Sequence, residues 1–293
     1  MTVSALIAKR RGLLRITGED RVPFLQGLVT NDVTKAAAGH AVYSALLTAQ
    51  GRFLHDFFIM PQADGLLIDC EAERRADLVR RLSMYKLRAK VTIEDRSAAL
   101  ATILLWGDAV LAALSLPPDP GAIRVEENHP IFVDPRMPSL GARAILPAER
   151  AHNWITEHSF TMADDAAYDR HRIGLGVPDG SRDLPVERAL LLENGFDELH
   201  GIDWDKGCYI GQEVTARMRY RSLVRKRLMP VAITGPVPEF GTPITLAGAE
   251  AGEMRSAVPG LGLALLREEA LDSIGEDKPL VAAASTLRPL PPH

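Results

Sequence analysis

The sequence predicts an α+β protein in which two related units, each an antiparallel sheet covered by helices, precede a small C-terminal β-barrel. Strand-like runs such as "RFLHDFFIM" and "GLLIDCE" alternate with helical patterns in the first unit, and this order repeats more loosely after Ala98. After Arg227 the chain changes to short strands broken by Gly and Pro, which are typical of a small barrel. The predicted domains are therefore 1–97, 98–226 and 227–293.

Hydrophobic spacing predicts the individual elements in order. Phe24, Leu25 and Leu28 recur at helical intervals after a first strand, and "EAERRADLVRRLSMYKL" is an amphipathic helix that leads into the strand "KVTIEDRS". The second unit repeats this plan with strands near "IRVEE", "PIFVD" and "ARAILP" and the helix "AERAHNWITEH". A further helix ends near Gly174, because the following stretch "GLGVPDGSRDLP" is too rich in Gly and Pro for regular structure.

Composition excludes several classes of protein. With 46% hydrophobic and 25% charged residues, the chain resembles an ordinary globular protein, and no apolar run approaches a membrane span. A net charge of -4 argues against a general nucleic-acid binder, so nucleic acid is not expected as a direct partner. Two cysteines cannot form a secreted disulfide framework, and Lys9, Arg10 and Arg11 interrupt the N-terminal apolar run. We expect a cytoplasmic monomer.

One of the two cysteines lies in an unusual setting, the stretch "DKGCYIGQEV". Lys206 and a helix predicted to begin near Ile210 would lower the pKa of the Cys208 thiol and favour the reactive thiolate. Gly207 and Gly211 allow a sharp turn that presents the sulfur. The alternative is an inert small side chain packed in a tight turn.

The rest of this stretch supports the cysteine. Tyr209 completes the motif, and Gln212, Glu213 or both are expected either to orient the loop by hydrogen bonds or to meet a partner. Cys70 closes the apolar run "LLIDC" and is predicted to be a core residue at the end of a strand.

A basic run follows: the stretch from residue 217 to residue 227 contains six basic residues and no acidic one. Such a run is usually a solvated face, but it could also hold an anionic ligand or attract an acidic protein or RNA. Its members are Arg217, Arg219, Arg221, Arg225, Lys226 and Arg227.

The motifs "KGCYIGQE", "ARMRYR" and "RKRL", with "FLQGLVTNDV", "QGRFLHDFFI" and "GLGLALLR", resemble the YgfZ family of folate-binding iron–sulfur-assembly proteins. That family shares its fold with the glycine-cleavage T-protein, an aminomethyltransferase. The resemblance implies a ring of three subdomains around a hole that receives tetrahydrofolate. It also implies a role in assembly or repair of iron–sulfur clusters, with partners among assembly and client proteins, including enzymes of tRNA modification.

The resemblance also assigns candidate residues to the site. Glu193 in "LLENG" and Asp56 in "FLHDFF" match acidic positions that contact folate in T-proteins, and Arg225 and Arg227 would hold its anionic tail. For Asp56 the alternative is an exposed face of its strand, with His55 pointing the other way. Cys208 is a candidate ligand of a transient cluster, which must be shared because one sulfur cannot supply four ligands.

Three rival functions follow from the same residues. A true aminomethyltransferase would be a folate-dependent one-carbon transferase, but this chain has "DPRMPSLGARAILP" where T-proteins carry an acidic, Gly-rich loop. An RNA-associated module would need a platform of stacking aromatic rings, which the basic run does not offer, since only Tyr220 interrupts the arginines. A thiol oxidoreductase would need a Cys-x-x-Cys pair. We therefore expect an accessory factor rather than a conventional enzyme.

Overall fold

The computed structural model describes residues 2–274 and 279–291. The N-terminal part contains, in chain order, β1 (Ser4–Ile7), β2 (Arg11–Thr17), α1 (Arg21–Gln26), α2 (Val33–Ala37), β3 (Val42–Leu47), β4 (Phe53–Gln62), β5 (Gly65–Glu71), α3 (Arg75–Lys86) and β6 (Thr92–Asp95). The middle part contains β7 (Leu100–Trp106), α4 (Val110–Ala113), β8 (Ile123–Glu126), β9 (His129–Val133), β10 (Ala142–Pro147), α5 (Ala151–Glu157), β11 (Thr161–Met162), α6 (Asp165–Gly174) and α7 (Gln212–Tyr220). The C-terminal part contains β12 (Lys226–Thr234), β13 (Pro243–Leu246), β14 (Ala249–Val258), β15 (Leu261–Arg267), α8 (Glu268–Leu271), β16 (Leu280–Ala282) and β17 (Ser285–Pro289).

These strands form two open sheets and a closed barrel. The first sheet has the order β3-β4-β5-β2-β6, and the second has the order β11-β1-β7-β10-β9-β8. The barrel closes in the order β12-β15-β14-β13-β16-β17. The predicted fold class, α+β with antiparallel sheets and a C-terminal barrel, is confirmed, although β1 and β11 pair in parallel.

The chain divides into two compact units that differ from a simple cut along the sequence. The first comprises the chain up to Ala49, Leu54–Asp165 and Glu198–Gln212, and the second comprises Gln50–Phe53, Ala166–Asp197 and the chain from Glu213 onward. The boundaries 1–97, 98–226 and 227–293 stay predictions. Strand β1 pairs with β7 in the second sheet, because its apolar residues continue that sheet's core.

Each sheet has an apolar face that helices cover. The core of the second sheet includes Ile103 and Leu105 from β7, packed with Trp154 and Ile155 from α5. Helix α3 was predicted to have one apolar face, and on this face Leu78 and Leu82 are buried. The barrel has its own core, which includes Val231, Ile244, Met254, Leu266 and Leu280.

A buried ionic network joins the two sheets of the first unit. Arg143 on β10 donates to Asp69 on β5 over 3.0 Å and to Asp134 over 2.9 Å. Arg136 donates to both carboxylate oxygens of Asp134 over 2.9 Å, and Arg11 donates to Asp69 over 2.7 Å. Buried charges persist only when they are paired in this way, so the network fixes how the sheets face each other.

Candidate functional site

The loop between α1 and α2 is bonded to the segment that leads into the cysteine motif. Asn31 donates from its side-chain amide to the carbonyl of His200 over 2.6 Å, and the Thr30 hydroxyl donates to the carbonyl of Gly201 over 2.7 Å. The backbone N–H of Asp203 donates to the Thr30 carbonyl over 3.0 Å. Two motifs about 170 positions apart therefore form one structure.

Lys206 fastens this junction. Its ammonium donates to the carbonyl oxygens of Gln26 over 2.9 Å, of Asn31 over 2.8 Å, and of Val29. The same nitrogen lies 5.3 Å from the centre of the Tyr209 ring, which allows a cation–π interaction. Three carbonyls match the three donors of an ammonium group, so its hydrogen-bonding capacity is filled.

This geometry gives Lys206 a structural role. Burial lowers the pKa of its ammonium to about 8, while the nearby carboxylates of Asp32 and Asp203 act in the opposite direction. The predicted action on the Cys208 thiol stays a prediction. The nitrogen is bound to backbone carbonyls of the loop before α2. Lys206 therefore positions the loop.

The Cys208 side chain is exposed, in contrast to the packed alternative. The glycines on either side have left-handed backbones, with φ +88° at Gly207 and +83° at Gly211. A Cβ at Gly207 would meet no atom within 4 Å, so this position requires glycine for its backbone conformation rather than for space. The predicted sharp turn that presents the sulfur is present.

Helix α7 begins at Gln212, two residues after the start predicted near Ile210. The Gln212 side-chain oxygen accepts a hydrogen bond from the Tyr209 N–H over 3.3 Å, and the Gln212 N–H donates to the Tyr209 carbonyl over the same distance. This reciprocal pair is the kind of loop-orienting contact predicted for Gln212. Glu213 is exposed.

Asp56 is buried in β4, so the alternative that it lies on an exposed face is wrong. Its side chain accepts a hydrogen bond from the Tyr43 hydroxyl over 2.8 Å. Burial, reinforced by the Asp56 charge, holds the pKa of Tyr43 well above its usual value, while Arg136 acts in the opposite direction. Tyr43 in turn packs against Phe58, with ring centres 5.1 Å apart. The carboxylate is thus fixed by its surroundings.

His55, next to Asp56, is also buried and lies 2.9 Å from the Asp77 carboxylate on α3. Burial lowers the pKa of His55 to about 4, helped by Arg74, whereas Asp77 raises it. The imidazole is therefore neutral at neutral pH and donates one N–H to Asp77.

Because His55 is buried and neutral, we expect the stability of the fold to decrease at acid pH. An unfolded histidine has a pKa of about 6.5, so below that pH the unfolded chain binds a proton that the folded chain does not. The free energy of unfolding should fall by about 3 kcal/mol between pH 6.5 and about 4, and His55→Gln should remove that part of the slope. Urea unfolding across this pH range measures it. His152→Gln, at an exposed position on α5, is the control; equal slopes in all three proteins would contradict the account.

Glu193 lies in a short 3-10 turn, Leu192–Asn194, which Gly195 ends in a left-handed conformation. Its carboxyl is half-buried, and burial raises its pKa, although Lys226 and Arg52 act in the opposite direction. The neighbouring Asn194 is buried and donates to the Leu190 carbonyl over 2.8 Å. Its side-chain oxygen has no hydrogen-bond partner among the described residues.

The basic run divides into paired and unpaired members. Arg219 lies 4.0 Å from Asp197, and Arg227 lies 3.0 Å from Glu268. This exposed pair is weak, and the role of Arg227 as a ligand for an anionic tail stays a prediction. Arg225 is exposed at the start of the barrel. Lys226, the first residue of β12, lowers the pKa of the Glu193 carboxyl and so partly offsets the effect of burial.

The first unit therefore holds the Lys206–Cys208 loop and Asp56, and the second holds Glu193 and the basic run. No role was predicted for Gln26 and Asn31, whose backbone carbonyls accept hydrogen bonds from the Lys206 ammonium. Both lie in the motif "FLQGLVTNDV", which was the available signal.

The chain matches two protein-family models and a solved structure. Residues 8–116 match the GCVT N-terminal domain, and residues 225–293 match the CAF17 C-terminal β-barrel domain. The crystal structure of the glycine cleavage system aminomethyltransferase T from Bartonella henselae covers 99% of this chain with a TM-score of 0.78 and 14% identity. The chain covers 85% of that structure, so the predicted T-protein fold is confirmed.

The relatives are named as iron–sulfur cluster assembly factors. The mitochondrial factor IBA57 of Mus musculus is 34% identical over 281 residues, which cover 89% of this chain and 76% of that protein. The Homo sapiens factor is 34% identical over 286 residues, covering 88% and 76%. Within residues 2–274 and 279–291, no helix is long and apolar enough to cross a membrane.

These names bear on two predictions. The predicted cytoplasmic location is contradicted, because the relatives are named as mitochondrial. The predicted kinship with iron–sulfur-assembly proteins is confirmed, while the finer assignment to the YgfZ family stays a prediction. With a third of its residues shared across most of both proteins, the chain belongs to the IBA57 family of iron–sulfur cluster assembly factors.

Proposed function

We propose that this chain is a tetrahydrofolate-binding accessory factor in the assembly or repair of iron–sulfur clusters. The observation that carries the proposal is the exposed Cys208 thiol, presented between two left-handed glycines on a loop that Lys206 fastens. Family membership supports it. The test is to express the chain in cells that lack their own IBA57-type factor and to measure [4Fe–4S] enzyme activity, which it should restore.

The chemistry of Cys208 implies a shared cluster. An iron–sulfur cluster takes four protein ligands as a rule, and thiolates are the common ones. Cys70 cannot join Cys208, because it is 1% exposed and burial raises the pKa of its thiol to about 12. A cluster held by Cys208 would therefore take its other ligands from a partner protein or from small thiols. Clients are expected among cluster enzymes, including radical enzymes that modify tRNA.

The residues around Glu193 suit the aminopyrimidine edge of a folate. A carboxylate accepts a pair of N–H donors on its two oxygens, and the raised pKa of Glu193 reflects burial that a charged partner would offset. The orphaned side-chain oxygen of Asn194 is a second acceptor nearby in the chain. Arg225 and Arg227 would attract the anionic tail of the folate. The folate contact predicted for Asp56 stays a prediction.

Replacing the Glu193 carboxylate tests this assignment. Glu193→Gln is expected to weaken tetrahydrofolate binding about ten- to hundredfold, because a charge-assisted hydrogen bond is worth about 1.5–3 kcal/mol. Isothermal titration of the purified protein measures the affinity, with thermal unfolding recorded alongside. Glu239→Gln, at an exposed position in the same unit, should bind as the wild type does. Unchanged affinity in Glu193→Gln would remove this residue from the site.

A second candidate function is aminomethyl transfer to tetrahydrofolate. The T-protein fold favours it, since the chain superposes on an aminomethyltransferase over nearly its whole length. Fold alone does not carry an activity. The stretch "DPRMPSLGARAILP", where T-proteins have an acidic Gly-rich loop, argues against this function.

A further inference from the structure

The outer face of α7 combines exposed arginine with an exposed aromatic ring. Tyr220 is 77% exposed, and Arg217, three positions earlier, lies on the same face and is also exposed. On the opposite face Thr215 and Met218 are buried, which orients the helix. A tyrosine at a helix end usually packs its ring, so this exposure calls for an explanation.

Two backbone hydrogen bonds define the end of this helix. The Ser222 N–H donates to the Arg219 carbonyl over 3.2 Å, and the Leu223 N–H donates to the Met218 carbonyl over 2.9 Å. Ser222 has a left-handed φ of +49°, so these contacts form a Schellman motif. The motif turns the chain sharply after Arg221, and Leu223 remains 39% exposed. Tyr220, Arg221 and Leu223 are therefore presented by a fixed backbone.

Two positive charges on this surface are available. Among the described residues, neither Arg217 nor Arg221 lies within ion-pair distance of an acidic group, whereas Arg219 and Arg227 do have acidic neighbours. Arginine and tyrosine are the side chains that most often dominate protein–protein interfaces. The surface formed by Arg217, Tyr220, Arg221 and Leu223, here called the α7 surface, has complementary charge for an acidic partner.

We propose that the α7 surface docks an acidic protein, with carboxylates on the two arginines and an apolar recess for Tyr220. This inference rests on the proposed function and names the partner's chemistry: the protein that brings the remaining cluster ligands. Helix α7 begins four positions after Cys208, so the docking surface and the thiol belong to one continuous segment.

RNA fits the α7 surface less well than a protein does. Sequence-tolerant RNA binding relies on several stacking aromatics, and this surface offers a single ring. A cluster partner must also supply thiolates, which proteins provide.

The test reverses the charge of the surface. Arg217→Glu/Arg221→Glu is compared with Lys9→Glu/Arg88→Glu, which makes the same change in net charge at exposed positions elsewhere. Purified proteins are titrated with fluorescent poly(Glu,Tyr) copolymer and with poly(U) RNA. The α7 variant should bind the copolymer at least about tenfold more weakly than the wild type, the control should match the wild type, and the copolymer should bind more tightly than RNA.

The same variants are then expressed in cells that lack their own IBA57-type factor. The α7 variant should lose rescue of [4Fe–4S] enzymes while still binding tetrahydrofolate, and the control should rescue. If the wild type rescues and the α7 variant rescues equally, the docking inference fails and the proposed function stands. If the wild type fails to rescue, the proposed function fails, and the copolymer titration still decides the docking surface. Equal weakening by both variants, or tighter binding of RNA, would overturn the inference.

Discussion

A chain carrying Cys208→Ser is expected to fold and to bind tetrahydrofolate as the wild type does, yet to lose rescue of iron–sulfur enzymes entirely. The thiol is exposed and contributes little packing, so the nearly isosteric hydroxyl should not disturb the loop. A serine at neutral pH neither ligates iron well nor exchanges with other thiols. The measurement is [4Fe–4S] enzyme activity in cells lacking their own factor, at equal protein level.

The second cysteine supplies the matched control. Cys70→Ser makes the same chemical change at a buried position, where the Gly12 carbonyl, 3.5 Å from the sulfur, could accept from the new hydroxyl. We expect it to lower the free energy of unfolding by about 1 kcal/mol and to keep rescue. Full rescue by Cys208→Ser would mean that the motif shapes the backbone between its glycines and that the sulfur is incidental.

Neutralising Asp134 is expected to lower the free energy of unfolding by about 3–5 kcal/mol, because it removes the carboxylate that pairs with the buried Arg136 and leaves the buried Arg143 with Asp69 alone. The change is Asp134→Asn, which keeps the size of the side chain. Urea unfolding measures it. Asp64→Asn, which breaks the exposed pair with Arg15, should leave stability unchanged within error. A similar loss in both variants would mean that the buried ion pairs contribute no more to stability than an exposed pair does.

The lowered pKa of Asp134 also predicts how the stability of the fold depends on pH. Burial would raise the pKa of Asp134, but the guanidinium groups of Arg136 and Arg143 outweigh it and hold the pKa well below its usual range. A lowered folded-state pKa means that the stabilisation is complete above the unfolded value and is lost as pH falls through the folded one. The difference in stability between wild type and Asp134→Asn should therefore shrink below about pH 4.

The fold class could be predicted because its signals are local. Alternating apolar residues mark β4 and β5, and Gly and Pro break the barrel into short strands. The parallel pairing of β1 with β11 could not be predicted, since a long-range pairing between short strands leaves no pattern in either segment.

The sequence names candidate site residues, but only part of their geometry could be predicted from it. The glycines around Cys208 and the loop contact of Gln212 follow from residue type and spacing. The position of Lys206 does not, because its acceptors are backbone carbonyls near residues 26–31, and a carbonyl carries no signature in the sequence. The burial of Asp56 likewise depends on Tyr43, a partner that only the folded sheet brings alongside.

The most direct test of the proposed function is a titration of the purified protein with tetrahydrofolate, with aminomethyl transfer from a lipoyl-bound amine assayed in parallel. The account predicts saturable binding and no turnover above background, because the fold is that of an aminomethyltransferase while the acidic Gly-rich loop is absent from "DPRMPSLGARAILP". Turnover at an enzymatic rate, about 1 per second or faster, would make the chain a transferase and contradict the account. Absence of binding would contradict the proposal that the chain binds tetrahydrofolate.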